Sequence, residues 1–436
     1  MSLHDDQLVF EPAAGRALRG HLRAPGDKSV SHRALLIAGL AEGRSRVRGL
    51  SDGEDVRHTR EAVAALGAVV ELSGREVVVE GGRDKLHEPE AVIDVGNSGT
   101  GIRLLAGVAA GLDGITVLQG DSSIARRPMD RVAVPLRAMG ASVDGRRGGS
   151  LPPLVVRGGH LHGTEYRPPV PSAQVKSAVL FAGLSAQGET TVVEEVGTRA
   201  HTEEMLAAAG AAISVSRQGT GATVRLAPGP LSPGEIEVPA DPSQAAFWVV
   251  AACVTPGSEL VLEDVYVGHG RAGFLEVLTR MGADIELSDE DPARRTANIR
   301  ARYSQLEGTD VRGSEVPSLI DEIPVLAVAA AMAEGPTTFA DAAELRVKET
   351  DRVETTVAML RALGVAAEPA ADGLTVVGGG GRPLAGGTTG SGGDHRIAMA
   401  SAVAALVCSA PVTVRGWAST TTSYPAFAKD MQSCLC

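Results

Sequence analysis

Hydrophobic and polar positions follow one pattern that recurs six times along the chain. A polar start precedes a helix-length segment that is apolar on all sides, a glycine-containing turn and a short β-branched strand. The copy from Ser29 reads SVSHRALLIAGLAEGRSRVRGL, and the copy from Ser98 reads SGTGIRLLAGVAAGLDGITVLQG. The starts are spaced by 69 to 78 residues and fall at Ser29, Ser98, Ser172, Ser243, Asp321 and Asp394. This regularity predicts six copies of one structural unit.

A second, amphipathic helix follows in five of the copies and ends in a glycine, as in AVAALGA and PLRAMGA. Glycine past the helix cap favours a left-handed backbone, and the residues concerned are Gly67, Gly140, Gly210, Gly282 and Gly364. Alternating segments such as AVVELSG and REVVVEG then indicate a β-hairpin. Each unit is therefore predicted to be βαβαββ, with a buried first helix and a second helix against a sheet.

The sixth copy lacks its last two strands before the sequence ends at Cys436. Two strand-like runs, QLVFEP and RALRGHLRA, lie within residues 1 to about 22 and are expected to complete that copy. The prediction is therefore an α/β protein of two domains. Residues 1–22 with 240–436 would carry copies four to six, and residues 23–239 would carry copies one to three. The two connections between the domains would act as hinges.

Composition limits the functions that this architecture could serve. A chain of 436 residues exceeds one ordinary core, and its net charge of −12 argues against an extended basic face for nucleic acid or membrane. No signal peptide or membrane-length apolar run is visible, so a cytoplasmic location is expected. The four cysteines show no disulfide spacing and are expected to be reduced thiols; they are Cys253, Cys408, Cys434 and Cys436.

The polar starts of the buried helices indicate where chemistry would occur. Ser and Asp are good helix caps, and for Ser243 capping alone is the interpretation we favour. Elsewhere the starts carry basic and polar groups that capping does not need, for example Lys28 and Arg33 in copy one. Helix N-termini attract anions. If the three helices of each domain are parallel, their starts would form an electropositive cleft for small anions.

Seven motifs, in order, resemble the enolpyruvyl transferase family, most closely its branch acting on shikimate 3-phosphate. They are PGDKSVSHRA, GNSGTGIR, RRPMDR, SAQVKSA, the Asp321 helix start, RVKETDR and DHRIAMA, and the match spans essentially the whole chain. The resemblance implies an inside-out α/β barrel fold of two domains, each with three βαβαββ units around buried parallel helices. It also implies transfer of the enolpyruvyl group of phosphoenolpyruvate to the 5-hydroxyl of shikimate 3-phosphate. No metal or organic cofactor is implied, and a monomer is expected.

The resemblance also implies roles for individual residues. Asp321 would take the proton of the 5-hydroxyl, Glu349 would protonate the methylene carbon, and Lys28 would touch both substrates and assist phosphate departure. The residues implied for shikimate 3-phosphate are Lys28, Ser29, Arg33, Ser172, Ala173, Gln174, Arg199, Asp321 and Lys348. Those implied for phosphoenolpyruvate are Lys28, Asn97, Gly99, Arg127, Gln174, Arg352, His395 and Arg396.

Three positions refine the comparison. Thr422 stands where many family members have Lys, and Ala173 stands where many have a second Ser. Gly99 lies where a methyl group would crowd a phosphonate inhibitor, so sensitivity to glyphosate is expected. Two alternatives stay open: the sister transferase that uses UDP-N-acetylglucosamine, and a non-catalytic anion-binding clamp. The clamp would not need the two acids Asp321 and Glu349 inside a basic site.

Overall fold

The computed structural model describes residues 6–74 and 76–436. Residues 1–5, part of the segment inspected for a signal peptide, and Arg75, in the turn of the first predicted hairpin, lie outside the described residues. The chain divides into two compact units. One contains Lys28–Val238, and the other combines the segment up to Asp27 with Pro239–Cys436.

Six buried helices, one per repeat, fill the interiors of the two units. The Pro242–Val254 and Ile323–Met332 helices are buried along their entire lengths, because nearly every side chain in them is apolar. Small residues let neighbouring helices approach closely: a methyl group at Gly107 would lie 2.7 Å from Ala178 Cα. The buried helices are Lys28–Leu40, Gly99–Ala110, Ala173–Gly183, Pro242–Val254, Ile323–Met332 and His395–Ala405.

A second helix follows in each repeat, and we call these six the outer helices. They are Glu54–Ala65, Asp130–Ala138, His201–Ala208, Gly273–Arg280, Arg352–Ala362 and Phe427–Cys434. The first five are followed by the predicted glycines, whose φ angles of 80° to 112° are left-handed. Short helical turns connect other elements at Ile124–Arg126, Arg146–Gly149, Gly313–Ser318, Ala343–Val347 and Trp417–Thr422.

The sheets confirm the βαβαββ repeat. In repeat two, Ile93–Asp94 leads and pairs in parallel with Gly114–Gln119, which pairs antiparallel with one strand of a hairpin. The same order holds in repeats one to five. The strands of the Lys28–Val238 unit are Glu235–Glu237, Gly43–Arg48, Glu76–Gly81 and Val69–Ser73; Ile93–Asp94, Gly114–Gln119, Leu151–Gly158 and Ser142–Gly145; and Glu165–Tyr166, Thr190–Glu194, Gly221–Leu226 and Ile213–Gln218.

The other unit repeats this plan with one three-stranded sheet. Its strands are Arg19–Leu22, Glu259–Tyr266, Thr296–Arg302 and Asp284–Asp291; Asp310–Val311, Glu334–Phe339, Gly373–Gly379 and Ala366–Ala370; and Gly387–Gly390, Val412–Arg415 and Gln7–Phe10. The described strands form six separate sheets, so helices rather than a closed barrel of strands occupy each interior.

One prediction about the N-terminal segment is half wrong. Gln7–Phe10 pairs antiparallel with Val412–Arg415 and completes the sixth sheet, as expected. Arg19–Leu22 instead pairs in parallel with Glu259–Tyr266 and leads the sheet of repeat four. The segment directly before the fourth buried helix, Glu235–Glu237, instead pairs in parallel with Gly43–Arg48 and leads the sheet of repeat one. The segments before the first and fourth buried helices have therefore exchanged places as leading strands, and each pairs within its own unit.

The two segments that link the units pair with each other. Gly26 and Ala240 form an antiparallel bridge. Asp27 N donates to Pro239 O at 2.8 Å, and Asp241 N donates to Pro25 O at 2.9 Å. These bonds hold residues up to Asp27 in the same unit as Pro239–Cys436, so the chain leaves that unit after Asp27 rather than near residue 22.

Within the described residues, no helix is both long enough and apolar enough to span a bilayer. The same residues contain no cluster of three or more His, Cys, Asp or Glu side chains arranged to hold a metal ion. The four cysteines are free thiols.

Candidate active site

In the Lys28–Val238 unit, the starts of the three buried helices lie side by side. His32 joins the first two: its Nδ1 lies 2.7 Å from Thr59 Oγ1, and its Nε2 lies 3.2 Å from Ser98 Oγ. Ser98 caps its helix by accepting a hydrogen bond from Gly101 N at 2.9 Å. The first and second helices therefore point their N-terminal ends to the same side of this unit, as the predicted anion site requires.

Arg33 is buried one turn into the first helix, and hydroxyl groups hold its guanidinium. Nε donates to Thr202 Oγ1 at 2.6 Å and Nη2 donates to Ser177 Oγ at 2.7 Å. Nη1 donates to the carbonyl oxygen of Ser29 at 2.8 Å. These three bonds fix the orientation of the Arg33 guanidinium near the start of the first buried helix.

Gln174 connects the second and third helix starts. Its Oε1 accepts from Arg103 Nη1 at 2.7 Å, and its Nε2 donates to Thr100 Oγ1 at 3.0 Å. Ser172 caps the third helix through Val175 N at 3.4 Å. Gln174 is thus held between the starts of the second and third buried helices.

Gly99 leaves space for a guanidinium. A methyl group built on Gly99 would collide with Arg127 Nη1 and lie 3.2 Å from Arg103 Nη1. Arg127 Nη2 donates to Asn97 Oδ1 at 3.4 Å, and Asn97 in turn donates to Asp121 Oδ2 at 2.6 Å. The absence of a side chain at Gly99 therefore lets Arg127 lie across the start of the second helix.

Lys28 begins the first buried helix, and its Nζ donates to Asp55 Oδ2 at 2.9 Å. Asp55 lies in the first turn of the neighbouring outer helix and is nearly buried. Sequence reasoning did not single out Asp55. The sequence shows only an acid at the start of an amphipathic helix. Acids are common at that position because they interact favourably with the helix dipole, so the sequence does not reveal that Asp55 binds Lys28.

Two of the three remaining predicted residues of this unit lie at the starts of buried helices, and the third lies before an outer helix. Ser29 is half-buried in the first turn of its helix, and Ala173 is the first residue of the third buried helix. Arg199 is half-buried between the Thr190–Glu194 strand and the His201–Ala208 helix.

Lys176 forms a fully buried charge cluster beneath the third helix start. Its Nζ donates to Glu194 Oε2 at 2.8 Å and to Glu203 Oε1 at 2.7 Å, and Thr198 donates to the other oxygen of Glu194. Glu203 is on the outer helix that also supplies Thr202 to Arg33. The cluster therefore holds that helix in place behind Arg33.

In the other unit, Arg352 is the centre of a carboxylate cluster. Its side chain is 1% exposed. Nε donates to Asp394 Oδ2 at 2.7 Å, Nη1 to Asp321 Oδ1 at 3.0 Å, and Nη2 to Glu349 Oε2 at 2.6 Å. Burial alone would lower the pKa of Arg352, but Asp394, Glu349 and Asp321 raise it above its ordinary value. Arg352 is therefore a permanent cation that brings the two predicted catalytic acids together.

Lys348 adds a second positive charge to this cluster, with Nζ 3.2 Å from Asp321 Oδ1. Arg396 Nη1 donates to the carbonyl oxygen of Asp321 at 3.0 Å, so a third cation lies at the same helix start. His395 Nδ1 lies 3.3 Å from Thr422 Oγ1, the position where many relatives have Lys. The predicted residues of this unit are thus all near the starts of the fifth and sixth buried helices.

Two expectations about capping are wrong. Asp241, not Ser243, caps the fourth buried helix, by accepting a hydrogen bond from Ser243 N at 2.8 Å. Asp321 does not cap the fifth, which begins at Ile323. Because Pro242 occupies the first turn, the helix begins one residue before Ser243 and leaves its hydroxyl for other partners.

Five complete βαβαββ repeats and a sixth with a three-stranded sheet, arranged in two units, form the fold of the enolpyruvyl transferases. The enolpyruvyl transferase NikO from Streptomyces tendae shares this fold, with a TM-score of 0.76 at 17% identity over 98% of this chain and 97% of that one. A family model described as EPSP synthase (3-phosphoshikimate 1-carboxyvinyltransferase) matches residues 12–431. The chain belongs to the EPSP synthase family.

Two relatives show how complete the likeness is. A 3-phosphoshikimate 1-carboxyvinyltransferase from Synechococcus sp. (strain JA-3-3Ab) is 48% identical over 433 residues, covering 98% of this chain and 96% of that protein. The 2.37 Å structure of EPSP synthase from Acinetobacter baumannii has a TM-score of 0.86 and 40% identity, covering 99% of this chain and 98% of that chain.

Proposed function

We propose that this chain transfers the enolpyruvyl group of phosphoenolpyruvate to the 5-hydroxyl of shikimate 3-phosphate and releases phosphate. Family membership over residues 12–431 supports the reaction. The observation that carries the mechanism is the Arg352 cluster, in which Asp321 and Glu349 bind one guanidinium. The cytoplasm is the location we expect for this activity.

The addition step needs a base for the hydroxyl and an acid for the methylene carbon. Asp321 takes the 5-hydroxyl proton as the oxygen bonds to C2 of phosphoenolpyruvate. Glu349, in its protonated form, gives its proton to C3, which becomes a methyl group. The product is a tetrahedral intermediate that carries both the new C–O bond and the phosphate. Positioned groups of this kind contribute roughly 10²- to 10⁴-fold each.

Elimination reverses the proton transfer at C3. The bond between C2 and the phosphate oxygen breaks, and phosphate leaves with the electron pair while Lys28 stabilises its charge. The Glu349 carboxylate takes a proton from the methyl group, and the C2–C3 double bond forms again. Glu349 is thus returned to its protonated form, and the proton that Asp321 took from the 5-hydroxyl leaves on the departing phosphate, so atoms and protons balance over the cycle.

Substrate anions would change the partners of Arg352. All three of its nitrogen atoms donate to carboxylates of this chain. Four of its five N–H groups donate in this way, so a ligand carboxylate that binds through two N–H groups has to displace one of these carboxylates, and Asp321 and Glu349 are less buried than Asp394. We infer that binding of the phosphoenolpyruvate carboxylate to Arg352 and Arg396 frees the two acids for proton transfer.

The remaining assignments follow the motifs. Arg127, with the Gly99 backbone, Asn97, Gln174 and His395, would hold phosphoenolpyruvate. Arg33, Ser29, Ser172, Ala173, Gln174, Arg199 and Lys348 would hold shikimate 3-phosphate, with Arg33 at its carboxylate. The fixed position of the Arg33 guanidinium supports this, because an arginine held in one orientation can bind a carboxylate through two parallel hydrogen bonds.

Phosphate release from phosphoenolpyruvate tests the proposal. Purified protein is assayed in parallel with shikimate 3-phosphate and with UDP-N-acetylglucosamine. Release only with shikimate 3-phosphate is the expected result. Release only with the sugar nucleotide would assign the chain to the sister activity, and no release with either would favour a non-catalytic anion-binding clamp.

A further inference from the structure

Arg271 is a buried cation that the proposed reaction does not use. Its side chain is 2% exposed, and its Nη2 donates to Asp27 Oδ2 and to Asp241 Oδ1, both at 2.7 Å. Burial alone would lower the pKa of Arg271, but Asp27, Asp241 and Glu322 raise it above its ordinary value. Arg271 is therefore ionised, and it fixes the start of the fourth buried helix through Asp241.

Ser243 extends this network to the fifth buried helix. Arg271 Nη1 donates to Ser243 Oγ at 3.0 Å, and Ser243 Oγ donates to Glu322 Oε1. Glu322 is completely buried, and its Oε2 accepts no hydrogen bond within residues 6–74 and 76–436. The Ser243 hydroxyl therefore sets the orientation of the Glu322 carboxylate.

Glu322 in turn faces Arg396. Its Oε1 lies 3.6 Å from Arg396 Nη1, beyond hydrogen-bond distance, and the same Nη1 donates to the carbonyl oxygen of Asp321 at 3.0 Å. The Arg396 side chain is 8% exposed. The Glu322 carboxylate and the carbonyl oxygen of Asp321 thus determine the orientation of the Arg396 guanidinium.

We propose that Ser243, held by Arg271, is a positioning residue that acts through Glu322 to orient Arg396 for the carboxylate of phosphoenolpyruvate. The inference rests on the proposed function, which assigns Arg396 to that carboxylate. While Ser243 holds Oε1, Glu322 attracts Arg396 without forming a direct hydrogen bond. Without the hydroxyl, the carboxylate of Glu322 turns to Arg396, binds it directly and competes with the ligand. A planar guanidinium recognises a carboxylate only in the correct orientation.

Ser243→Ala tests the proposal by separating the kinetic constants. The variant removes the hydroxyl and leaves Arg271, Asp27 and Asp241 paired. We expect the KM for phosphoenolpyruvate to rise about tenfold or more, as for loss of a charge-assisted hydrogen bond. The KM for shikimate 3-phosphate and kcat should change less than about threefold. The matched control is Ser401→Ala, since Ser401 is also fully buried in this unit and donates to Ile397 O at 2.9 Å.

A double-variant comparison shows whether the effect passes through Glu322. Glu322→Gln removes the charge that faces Arg396 and should also raise the KM for phosphoenolpyruvate selectively. In the Glu322→Gln variant, adding Ser243→Ala should not raise the KM for phosphoenolpyruvate further, because Ser243 acts on Arg396 only through Glu322. If Ser243→Ala does not fold, the selective change in Glu322→Gln carries the test.

Three outcomes would overturn the inference. They are equal changes in both KM values, additive effects of the two substitutions, and kinetics of Ser243→Ala that match those of Ser401→Ala. In each case an active wild-type protein would leave the proposed function intact. A wild-type protein that releases no phosphate contradicts the proposed function itself.

Discussion

Asp321 and Glu349 accept hydrogen bonds from the two terminal nitrogens of one guanidinium, that of Arg352, at 3.0 and 2.6 Å. The two acids come from different elements: Asp321 precedes the fifth buried helix, and Glu349 precedes an outer helix. The shared Arg352 cation keeps the two carboxylates close together, because its positive charge offsets the repulsion between their negative charges.

Amide variants of the two acids should separate chemistry from binding. Asp321→Asn and Glu349→Gln keep an oxygen that can accept from Arg352 but cannot exchange protons. Turnover should fall by roughly 10²- to 10⁴-fold in each variant. Calorimetric binding of shikimate 3-phosphate should change only a few-fold. Glu354→Gln, an exposed acid on the helix after Glu349, is the control and should retain full turnover. Survival of turnover in both variants would show that the mechanism is wrong.

Gly99→Ala should weaken binding at the Arg127 site. The added methyl group collides with the Arg127 guanidinium, so the side chain has to move away from the helix start. Glyphosate should inhibit the wild type in competition with phosphoenolpyruvate. In the variant, its inhibition constant should rise by on the order of tenfold or more, and by more than the KM for phosphoenolpyruvate. Initial-rate kinetics measure both constants.

The control for this prediction is Gly234→Ala, because a methyl group there meets no atom within 4 Å. A wild-type inhibition constant far above the constant for phosphoenolpyruvate would contradict the expected sensitivity. Equal shifts for glyphosate and phosphoenolpyruvate would contradict the steric argument.

Lys176→Met should destabilise the Lys28–Val238 unit. The substitution leaves Glu194 and Glu203 buried without their cation. Removing one member of a buried ion pair costs about 3–5 kcal/mol of the free energy of unfolding, which urea titration measures. Lys85→Met removes the exposed pair with Glu80 and should lower the free energy of unfolding far less, because solvent screens the pair. Similar losses in the two variants would mean that the buried cluster contributes no more than a surface pair.

Thiol labelling should distinguish Cys436 from two internal cysteines. Burial raises the pKa of Cys253 to about 12 and that of Cys408 to about 11. Because only the thiolate reacts, a raised pKa suppresses reaction at pH 8, and raising the pH to 9 still leaves both groups protonated. Cys436 is exposed. A thiol reagent should label Cys436 within minutes in native protein and reach the other two only in denaturant. Rapid native labelling of Cys253, read by mass spectrometry, would contradict this.

The sequence predicted the repeat correctly because its signals are local. Apolar helices, glycines past helix caps and alternating strands each depend on neighbouring residues, and the structure has them in the expected order. The partner of Arg19–Leu22 depends instead on which sheet lacks a leading strand, and its own residues carry no record of that choice. A strand pairing so distant in sequence had to be observed.

The site likewise combines features that the sequence predicted with features that only the structure shows. The motifs identified Arg352 and both acids, but the spacing of the residues does not show that Arg352 binds Asp321, Glu349 and Asp394 together. Ser243 was missed because a serine at a helix start is usually a cap. Its role in the network follows from Pro242, which lets the helix begin one residue earlier.

The two strands of the N-terminal segment pair with different sheets, and this has a consequence for synthesis on the ribosome. Lys28–Val238 is continuous in sequence, so all of its strands are available once that stretch has emerged, and it can fold while translation proceeds. Gln7–Phe10 is made before the Lys28–Val238 unit, yet its partner strand, Val412–Arg415, is made after that unit. Gln7–Phe10 is therefore paired only after the whole of Lys28–Val238 has been made, and it has to stay unaggregated until then.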